Sequence, residues 1–230
     1  MLRIHVLPRE LKGRTCVLID VLRATSTIVT ALASGANSVK PVLTVEDALK
    51  LKGYGYIVAG ERGGIKPPDF DLGNSPLEFR KHDLAGKRIA LTTTNGTRAL
   101  SMMECDVIYA ASFLNLSSVS RLISDLDDVD VVCSGTEGEF SLEDFLLAGF
   151  LAKSYPGEMN DAAEVSAVYA SGVSNVEIEM KRSSHAKRLI DLGFEEDVAF
   201  CSRTDLYDIV PVFENGEFRV YNQAFGGGMA

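Results

Sequence analysis

The stretch TCVLIDVLRATST, residues 15–27, decides the fold class of this chain. Residues 15–20 are apolar up to a final carboxylate, which is the pattern of a buried strand, and a helix is predicted from about Thr25 to a stop at Gly35. A buried strand that leads directly into a helix is the repeating unit of an α/β sheet. The sequence around this stretch repeats the same unit.

Short apolar runs alternate with helical stretches along most of the chain. Further strands are predicted at residues 39–43, 56–59, 88–92, 107–111 and 129–133. This alternation predicts an α/β fold with a mainly parallel sheet that is covered on both faces. A C-terminal hairpin, residues 209–213 and 218–221 with a turn at Asn215-Gly216, predicts antiparallel strands at one edge of a mixed sheet.

One domain that spans residues 1–230 accommodates this pattern. The polar break at residues 155–161 is the best candidate for a subdomain boundary, and a glycine-rich tail at residues 225–230 is expected to fray. We expect a homodimer, because two-fold dimers are the commonest closed assemblies.

The composition argues against several classes of protein. A formal net charge of −9 would repel a nucleic-acid backbone. No apolar run approaches the ~20 residues of a membrane helix, and residues 1–10 do not resemble a signal peptide. A cytoplasmic protein with no nucleic-acid or membrane partner is therefore expected. The cysteines form no CxxC pair, and we interpret all of them as buried free thiols: Cys16, Cys105, Cys133 and Cys201.

Four polar segments share one predicted position, directly after a strand. They are DVLRATST from Asp20, GERGG from Gly60, TTTNGTR from Thr92 and SGTEG from Ser134. The carboxyl ends of parallel strands lie at one edge of a sheet, and ligands of open α/β sheets bind there. We therefore expect a single site to which all four segments contribute.

The segment at residues 20–27 carries the strongest signal. It combines the carboxylate of Asp20, the cation of Arg23 and the hydroxyls of Thr25 and Ser26 at a helix start, where backbone N–H groups attract anions. The alternative is that Thr25 or Ser26 only caps the helix while Asp20 is solvated. Opposite charges clustered at a strand end favour the functional interpretation.

The other segments carry weaker signals. GERGG pairs Glu61 with Arg62 and opens a long loop, residues 60–74, and such loops in compact domains are usually functional or disordered. TTTNGTR, with Arg98, is also explained as a simple turn before a helix. SLED, residues 141–144, is also explained as a helix start, in which the acidic side chains of Glu143 and Asp144 interact favourably with the helix dipole.

Together the segments predict a site for an anion and a hard cation. Carboxylates without clustered histidines or cysteines favour Mg²⁺ over zinc, and arginine suits bidentate binding of anions. The sequence contains no GxGxxG, GxxxxGK[ST] or GxSxG motif, which argues against a dinucleotide site, a P-loop and a nucleophile elbow.

Taken in order, these segments resemble the signature blocks of the 2-phosphosulfolactate phosphatase family. The matching blocks are DVLRATST, GERGG followed by FDLGNSP, TTTNGTRAL and SGTEGEFSLED, and then Ser184-His185 to Gly193 with Asp197 and Cys201. The resemblance implies a single three-layer α/β/α fold. It also implies a Mg²⁺-dependent phosphatase that converts 2-phosphosulfolactate to sulfolactate and phosphate, a step toward coenzyme M.

The resemblance also suggests roles for individual residues at a site for a small, doubly acidic phosphorylated substrate. Arg23, Arg62 and Arg98 are expected to bind its acidic groups, and His185 either protonates the leaving alkoxide or lies on a helix surface. The expected Mg²⁺ ligands are Asp20, Glu61 and Asp71, with Glu143 and Asp144 in reserve. Substrate contacts through hydroxyl or backbone groups are expected at Thr25, Ser26, Thr94, Asn95, Gly96, Thr97, Gly135 and Thr136.

Two other functions remain open. One is a phosphatase for a different phosphorylated hydroxy-acid, and the other is a non-catalytic anion-binding protein on the same scaffold. Asp20 itself has two alternative roles, as a metal ligand or as a nucleophile that forms an aspartyl phosphate. Leu22 stands where a covalent mechanism would place a second aspartate, which favours attack by a water that the metal activates or positions.

Overall fold

The computed structural model describes residues 1–221, so the predicted fraying of residues 225–230 lies outside the described residues. The strands within this range are short. In chain order they are β1 (Leu2–His5), β2 (Leu11–Lys12), β3 (Thr15–Ile19), β4 (Ser38–Pro41), β5 (Tyr56–Gly60), β6 (Arg88–Thr92), β7 (Met103–Glu104), β8 (Val107–Ala111), β9 (Val129–Cys133), β10 (Pro211–Glu214) and β11 (Glu217–Val220).

The helices follow the strands as the alternation predicts. In chain order they are α1 (Ala24–Ala33), α2 (Val45–Lys52), α3 (Pro76–Arg80), α4 (Gly96–Ser101), α5 (Leu116–Ser124), α6 (Leu142–Ser154), α7 (Asp161–Ser171), α8 (Val176–Met180), α9 (Ser184–Asp191) and α10 (Glu195–Cys201). Thr44 and Ser75 cap α2 and α3 through their side-chain oxygens, which satisfies backbone N–H groups that the first helical turn leaves free.

Nine strands form one sheet in the order β1-β9-β3-β8-β10-β11-β4-β6-β5. The strands β1, β9, β3 and β8 form one parallel block, and β4, β6 and β5 form a second. The predicted mixed, mainly parallel sheet is therefore confirmed. A separate small sheet pairs β2 with β7.

The C-terminal hairpin lies between the two parallel blocks, so the prediction that it occupies an edge of the sheet is wrong. β10 pairs antiparallel with β8, and β11 pairs antiparallel with β4. This central position gives both hairpin strands a partner on each side and buries Val212 and Phe218. The alternation pattern of a strand reports which faces are buried, and it carries no information about its neighbours in the sheet.

The hairpin also reverses the direction of the second parallel block relative to the first. Sheet twist accumulates at about 20–25° per strand, or about 100–125° over the five steps from β3 to β6. A twist of this size is sufficient to bring the carboxyl ends of two such blocks near each other. Gly96, after β6, accordingly packs against Asp20, after β3: a Cβ on Gly96 would lie 2.8 Å from Asp20 Oδ2.

Both faces of the sheet are buried. In β3, Val17 and Ile19 belong to a core that includes residues of α5 and α6, whereas Leu18 belongs to a second core on the other face that includes residues of α1 and α4. A strand with apolar residues on both faces fits the middle layer of an α/β domain. The predicted three-layer α/β/α fold is confirmed.

The cysteine prediction is wrong for one pair. Cys16 and Cys105 form a disulfide with a Cα–Cα distance of 6.2 Å, while Cys133 and Cys201 are free and buried. Cys16 lies in β3 and Cys105 precedes the neighbouring strand β8, so the sheet brings together cysteines that the chain separates by 89 positions. Disulfides are rare in a reducing compartment, so this bond does not support the cytoplasmic location, which stays a prediction.

Residues 155–161 connect two helices that pack closely. A Cβ on Gly149 in α6 would lie 2.2 Å from the backbone oxygen of Ser166 in α7, so only glycine permits this approach.

Among residues 1–221, no helix is both long and apolar enough to cross a membrane.

Candidate functional site

A cleft lies where the ends of β3, β5, β6 and β9 meet, and α9 forms its remaining wall. It encloses a volume of ≈ 460 Å³, including its opening to solvent. The polar side chains that line it come from all four predicted segments and from two elements outside them. They are Asp20, Arg23, Glu61, Asn74, Thr93, Thr94, Asn95, Thr136, Glu137, His185 and Arg188.

Asp20 ends the central strand β3 and is 4% exposed. Its Oδ1 accepts a hydrogen bond from the backbone N–H of Ala24 at 3.1 Å, whereas Oδ2 accepts none from the described residues. The pKa of Asp20 is raised to about 6, mainly by burial and also by the nearby carboxylates of Glu61 and Glu143, against the opposing effects of the Ala24 N–H and of His185. A cation bound at this carboxylate would therefore offset an unfavourable charge.

Arg23 is fixed by contacts on three sides and is 3% exposed. Its Nη1 donates to the buried carboxylate of Asp197 in α10, and its Nη2 donates to the backbone oxygen of Gly64 at 3.1 Å. The guanidinium also lies over the ring of Phe194, with Cζ 4.3 Å from the ring centroid. Arginine has more N–H donors than these two contacts use, so Arg23 retains donors for an anion in the cleft.

Glu61 holds two loops together at the cleft wall. Its Oε2 accepts from the backbone N–H of Gly64 at 2.7 Å, and its Oε1 accepts from the backbone N–H of Thr94 at 2.7 Å. Each carboxylate oxygen therefore satisfies a backbone donor that a tight loop would otherwise leave free. The contacts of Glu61 are those of a residue that shapes the cleft.

His185 is positioned by a buried carboxylate. Its Nδ1 lies 3.2 Å from Glu143 Oε1 and 3.2 Å from Thr136 Oγ1, and its Nε2 has no partner among residues 1–221. Burial raises the pKa of Glu143, but the hydrogen bond and charge of His185 outweigh burial and bring that pKa below its usual value. The Nε2 atom is the one that remains available to a ligand.

Asp144 and two of the predicted hydroxyls make backbone contacts inside the fold. Asp144 Oδ1 accepts from the N–H of Val21 at 2.9 Å, and its Oδ2 accepts from Ser134 Oγ and from the N–H of Gly135. Thr25 Oγ1 and Ser26 Oγ each donate to a backbone oxygen five residues earlier. These three side chains do not line the cleft, because the turns after β3 and β9 use their polar atoms.

Three predicted residues lie away from the cleft. Arg62 turns outward and donates to Glu61 O, Leu43 O and Thr92 Oγ1. Asp71 Oδ2 accepts from the N–H of Val58, and its Oδ1 accepts from Lys52 Nζ. Arg98 is exposed and does not line the cleft. The structure therefore does not bring Arg62, Arg98 and Asp71 into the cleft with the other predicted residues.

The physical reason differs among these three side chains. Asp71 follows β5, an edge strand whose outer N–H groups lack a strand partner, and the carboxylate supplies one. Arg62 bridges backbone oxygens of two loops. Arg98 is the third residue of α4 and its side chain is exposed, whereas Thr93, Thr94 and Asn95, directly before this helix, line the cleft.

The TTTNGTR and SGTEG segments form walls of the cleft, and most of their contacts fix the path of the backbone there. Thr94 lines the cleft, and Asn95 Oδ1 accepts from the backbone N–H of Glu137 at 3.0 Å and thereby joins the two segments. Gly96 permits the close approach to Asp20, Thr97 is buried against Thr93, and Gly135 has a φ of +65° that favours glycine.

Sequence reasoning did not select Asn74, Arg188 or Asp197 as site residues. Asn74 Oδ1 is buried and has no hydrogen-bond partner among the described residues, and Asn74 lines the cleft. Asn74 stands directly before the helix start at Ser75, and the helix start already accounts for a polar residue at this position. Arg188 follows His185 by three residues on a predicted helix, and this spacing places both on one face.

The donor atoms in the cleft fit Mg²⁺ in kind. Asp20 Oδ2 and Asn74 Oδ1 are oxygens without protein donors, and Mg²⁺ commonly takes one or two carboxylates together with substrate phosphate and water. Residues 1–221 contain no group of three or more acidic, histidine or cysteine side chains placed to hold a metal ion. The predicted five-carboxylate set is therefore not gathered at one point.

Comparisons with known proteins identify the family of this chain. The 2-phosphosulpholactate phosphatase family model matches residues 3–216. A protein of Thermotoga petrophila named probable 2-phosphosulfolactate phosphatase is 54% identical over 207 residues, which cover 89% of this chain and 91% of the relative. A protein of the same name from Pseudothermotoga lettingae is 44% identical over 221 residues, which cover 95% and 98%. The chain therefore belongs to the 2-phosphosulpholactate phosphatase family, as its signature blocks predict.

Proposed function

We propose that this chain hydrolyses 2-phosphosulfolactate to 3-sulfolactate and phosphate. The observation that carries the proposal is the combination directly after β3: Asp20, whose Oδ2 accepts no hydrogen bond from residues 1–221, lines the same cleft as Arg23, whose guanidinium is held by Asp197 and Gly64. Family membership and the printed names of the relatives support this reaction. The step toward coenzyme M stays a prediction from the resemblance.

Arg23 binds the phosphoryl group in this proposal. Hydrolysis of a phosphate monoester needs strong stabilisation of the charge on the phosphoryl oxygens. A guanidinium that Asp197, Gly64 and Phe194 already hold in place loses little freedom when the substrate arrives. Its remaining N–H donors fit the oxygens of a tetrahedral anion.

His185 protonates the leaving alkoxide through Nε2. The contact between Nδ1 and the buried Glu143 orients the ring and leaves Nε2 available to a ligand in the cleft. Thr136 Oγ1 supports the same orientation. This role follows the pattern of a carboxylate-oriented general acid.

We further propose a dependence on Mg²⁺, with Asp20 and Asn74 as the residues that would hold it. When bound, the ion would supply charge neutralisation at the phosphoryl oxygens and a lowered pKa for water. The absence of a second carboxylate two residues after Asp20, where Leu22 stands, supports attack by water over an aspartyl phosphate. Acid quenching during turnover should therefore trap no phosphate on Asp20, and oxygen-18 from labelled water should appear in the released phosphate.

The test measures phosphate release from 2-phosphosulfolactate with added Mg²⁺ and with excess chelator. Turnover should require the metal. The unfolding temperature should change little on chelation, because a core of this size does not depend on one ion. Full turnover by metal-stripped enzyme would exclude the metal requirement, and no release under any condition would exclude the proposed reaction.

A further inference from the structure

The cleft contains fewer free cations than the proposed substrate has acidic groups. Among residues 1–221, the arginines that line it are Arg23 and Arg188, and no lysine lines it. Arg23 is already committed to Asp197 and Gly64 on its inner side. Because Arg62 and Arg98 lie elsewhere, Arg188 is the guanidinium in the described cleft that is left for a second acidic group.

Arg188 is placed to reach across the cleft. It lies in α9 one turn after His185, so both residues share a helix face. Its Nη2 lies 3.6 Å from the position that a Cβ on Gly63 would take, which brings the guanidinium from α9 to the loop after β5. The side chain is 46% exposed, so an anion that enters from solvent meets it first.

The present partner of Arg188 is a carboxylate that is easily exchanged. Arg188 Nη1 donates to Glu137 Oε1, and the Glu137 side chain is 59% exposed. The Glu137 backbone is fixed by a hydrogen bond to Asn95 Oδ1, but no other contact holds its carboxylate within residues 1–221. Exposed ion pairs shift an equilibrium by only about fivefold or less. Exchange with another anion therefore needs little free energy and leaves no buried charge unpaired.

We infer that Arg188 binds the sulfonate of the substrate and that Glu137 occupies this position until the sulfonate displaces it. The inference rests on the proposed function. A sulfonate offers three oxygens to the planar fork of arginine, which suits bidentate binding. Arg23 then binds the phosphate end of the substrate and Arg188 binds the sulfonate end. Arg188 therefore determines the preference for a substrate that carries a sulfonate.

The test compares Arg188→Gln with wild type on 2-phosphosulfolactate and on 2-phospholactate, which lacks the sulfonate. For 2-phosphosulfolactate, KM should rise on the order of 10- to 100-fold with kcat nearly unchanged, the effect of losing a charge-assisted contact. For 2-phospholactate, KM should stay the same. Glu137→Gln should lower KM for 2-phosphosulfolactate by up to about fivefold, because it removes the competing carboxylate.

Lys187→Gln is the matched control, because Lys187 is an exposed cation on the same helix that does not line the cleft. It should leave both substrates unaffected. An equal KM change on both substrates in Arg188→Gln would overturn the sulfonate assignment. The same change in Lys187→Gln would show that net charge, and not this contact, is responsible, and would also overturn it.

Calorimetric titration with 3-sulfolactate separates this inference from the proposed reaction, because it needs no turnover. Wild type should bind 3-sulfolactate, and Arg188→Gln should bind it at least about tenfold more weakly. Binding through Arg188 without any phosphate release from 2-phosphosulfolactate would overturn the reaction and keep the subsite. Normal turnover with unchanged binding in Arg188→Gln would overturn the subsite alone.

Discussion

The segment after β3, residues 20–27, and the segment after β5, residues 60–74, have similar charged residues but use them differently. Each contains an acidic residue and an arginine close to a strand end. After β3, Asp20 lines the cleft and has one oxygen that accepts no hydrogen bond from residues 1–221, and Arg23 keeps spare donors. After β5, the charged side chains of Glu61, Arg62 and Asp71 bond mainly to backbone atoms or to Lys52.

The position of each strand in the sheet explains this difference. β3 lies between β8 and β9, so neighbouring strands already satisfy its backbone groups and the acid that follows is free for a ligand. β5 is an edge strand, and its outer side is completed by its own long loop, where the backbone of Leu72 pairs with Ala59 and the Asp71 side chain accepts from the Val58 N–H. An acidic residue after a central strand is therefore a better candidate for function than the same residue beside an edge strand.

The largest expected difference in kcat is between two single variants, one at Asp20 and one at Asp71. Asp20→Asn should lower kcat by at least ~100-fold, because it removes a negative charge at the reacting centre. Asp71→Asn should leave kcat unchanged, because its carboxylate lies outside the cleft. Phosphate release at saturating 2-phosphosulfolactate, together with unfolding temperatures, measures both effects. Equal losses in the two variants would contradict the contrast between the central and edge strands.

Replacing the arginine of the β3 segment should likewise have a larger effect on substrate binding than replacing the arginine of the β5 segment. Arg23→Gln should raise KM on the order of 10- to 100-fold by removing charge-assisted contacts to phosphate, whereas Arg62→Gln should leave KM unchanged. Removing Arg23 also leaves Asp197 buried without its cation, at a cost of about 3–5 kcal/mol in stability.

A double variant separates these two effects of Arg23. Arg23→Gln with Asp197→Asn removes the unpaired buried charge, so the unfolding temperature should recover while KM stays high. If KM recovers together with stability, Arg23 acts through folding and does not bind the substrate.

The sequence predicted the fold class and the strand ends that line the site, because both depend on local patterns. Apolar strands that end in polar segments, such as the one that ends at Asp20, specify a buried sheet with a site at its carboxyl ends. The family blocks added the reaction class. The polar segments do meet at one site, but not for the expected reason: β3 and β6 belong to blocks that run in opposite directions, so the meeting of their carboxyl ends depends on strand order and not on a single parallel edge.

The orientation of individual side chains could not be predicted, because it depends on strand order and twist. Nothing local distinguishes Arg23 from Arg62, since the choice is made by Asp197 and by the loop around Leu43. The central place of the hairpin and the Cys16–Cys105 bond likewise arise from pairings between distant parts of the chain.

A smaller effect is expected where the two parallel blocks meet. A Cβ on Gly96 would lie 2.7 Å from Ala24 Cβ and 2.8 Å from Asp20 Oδ2, so Gly96→Ala must displace the carboxylate. We expect kcat to fall about tenfold, within the range that overpacking by a methyl group causes. Gly172→Ala is the control, since its nearest neighbour atom would lie 3.6 Å away. Normal kcat in Gly96→Ala would show that the position of Asp20 tolerates movement.

The smallest expected effect tests the edge strand alone. Asp71→Ala removes the acceptor for the Val58 N–H and the partner of Lys52. Because this part of the surface is exposed, water replaces the lost contacts, and the cost should be about 0.5–1.5 kcal/mol. The unfolding temperature should fall by roughly 2–4 °C per kcal/mol for a chain of this size, with kcat and KM unchanged. Asp69→Ala, a neighbouring exposed acid of the same loop, should shift neither quantity. A loss of activity in Asp71→Ala at normal stability would return this carboxylate to the site and overturn the structural role assigned to the β5 segment.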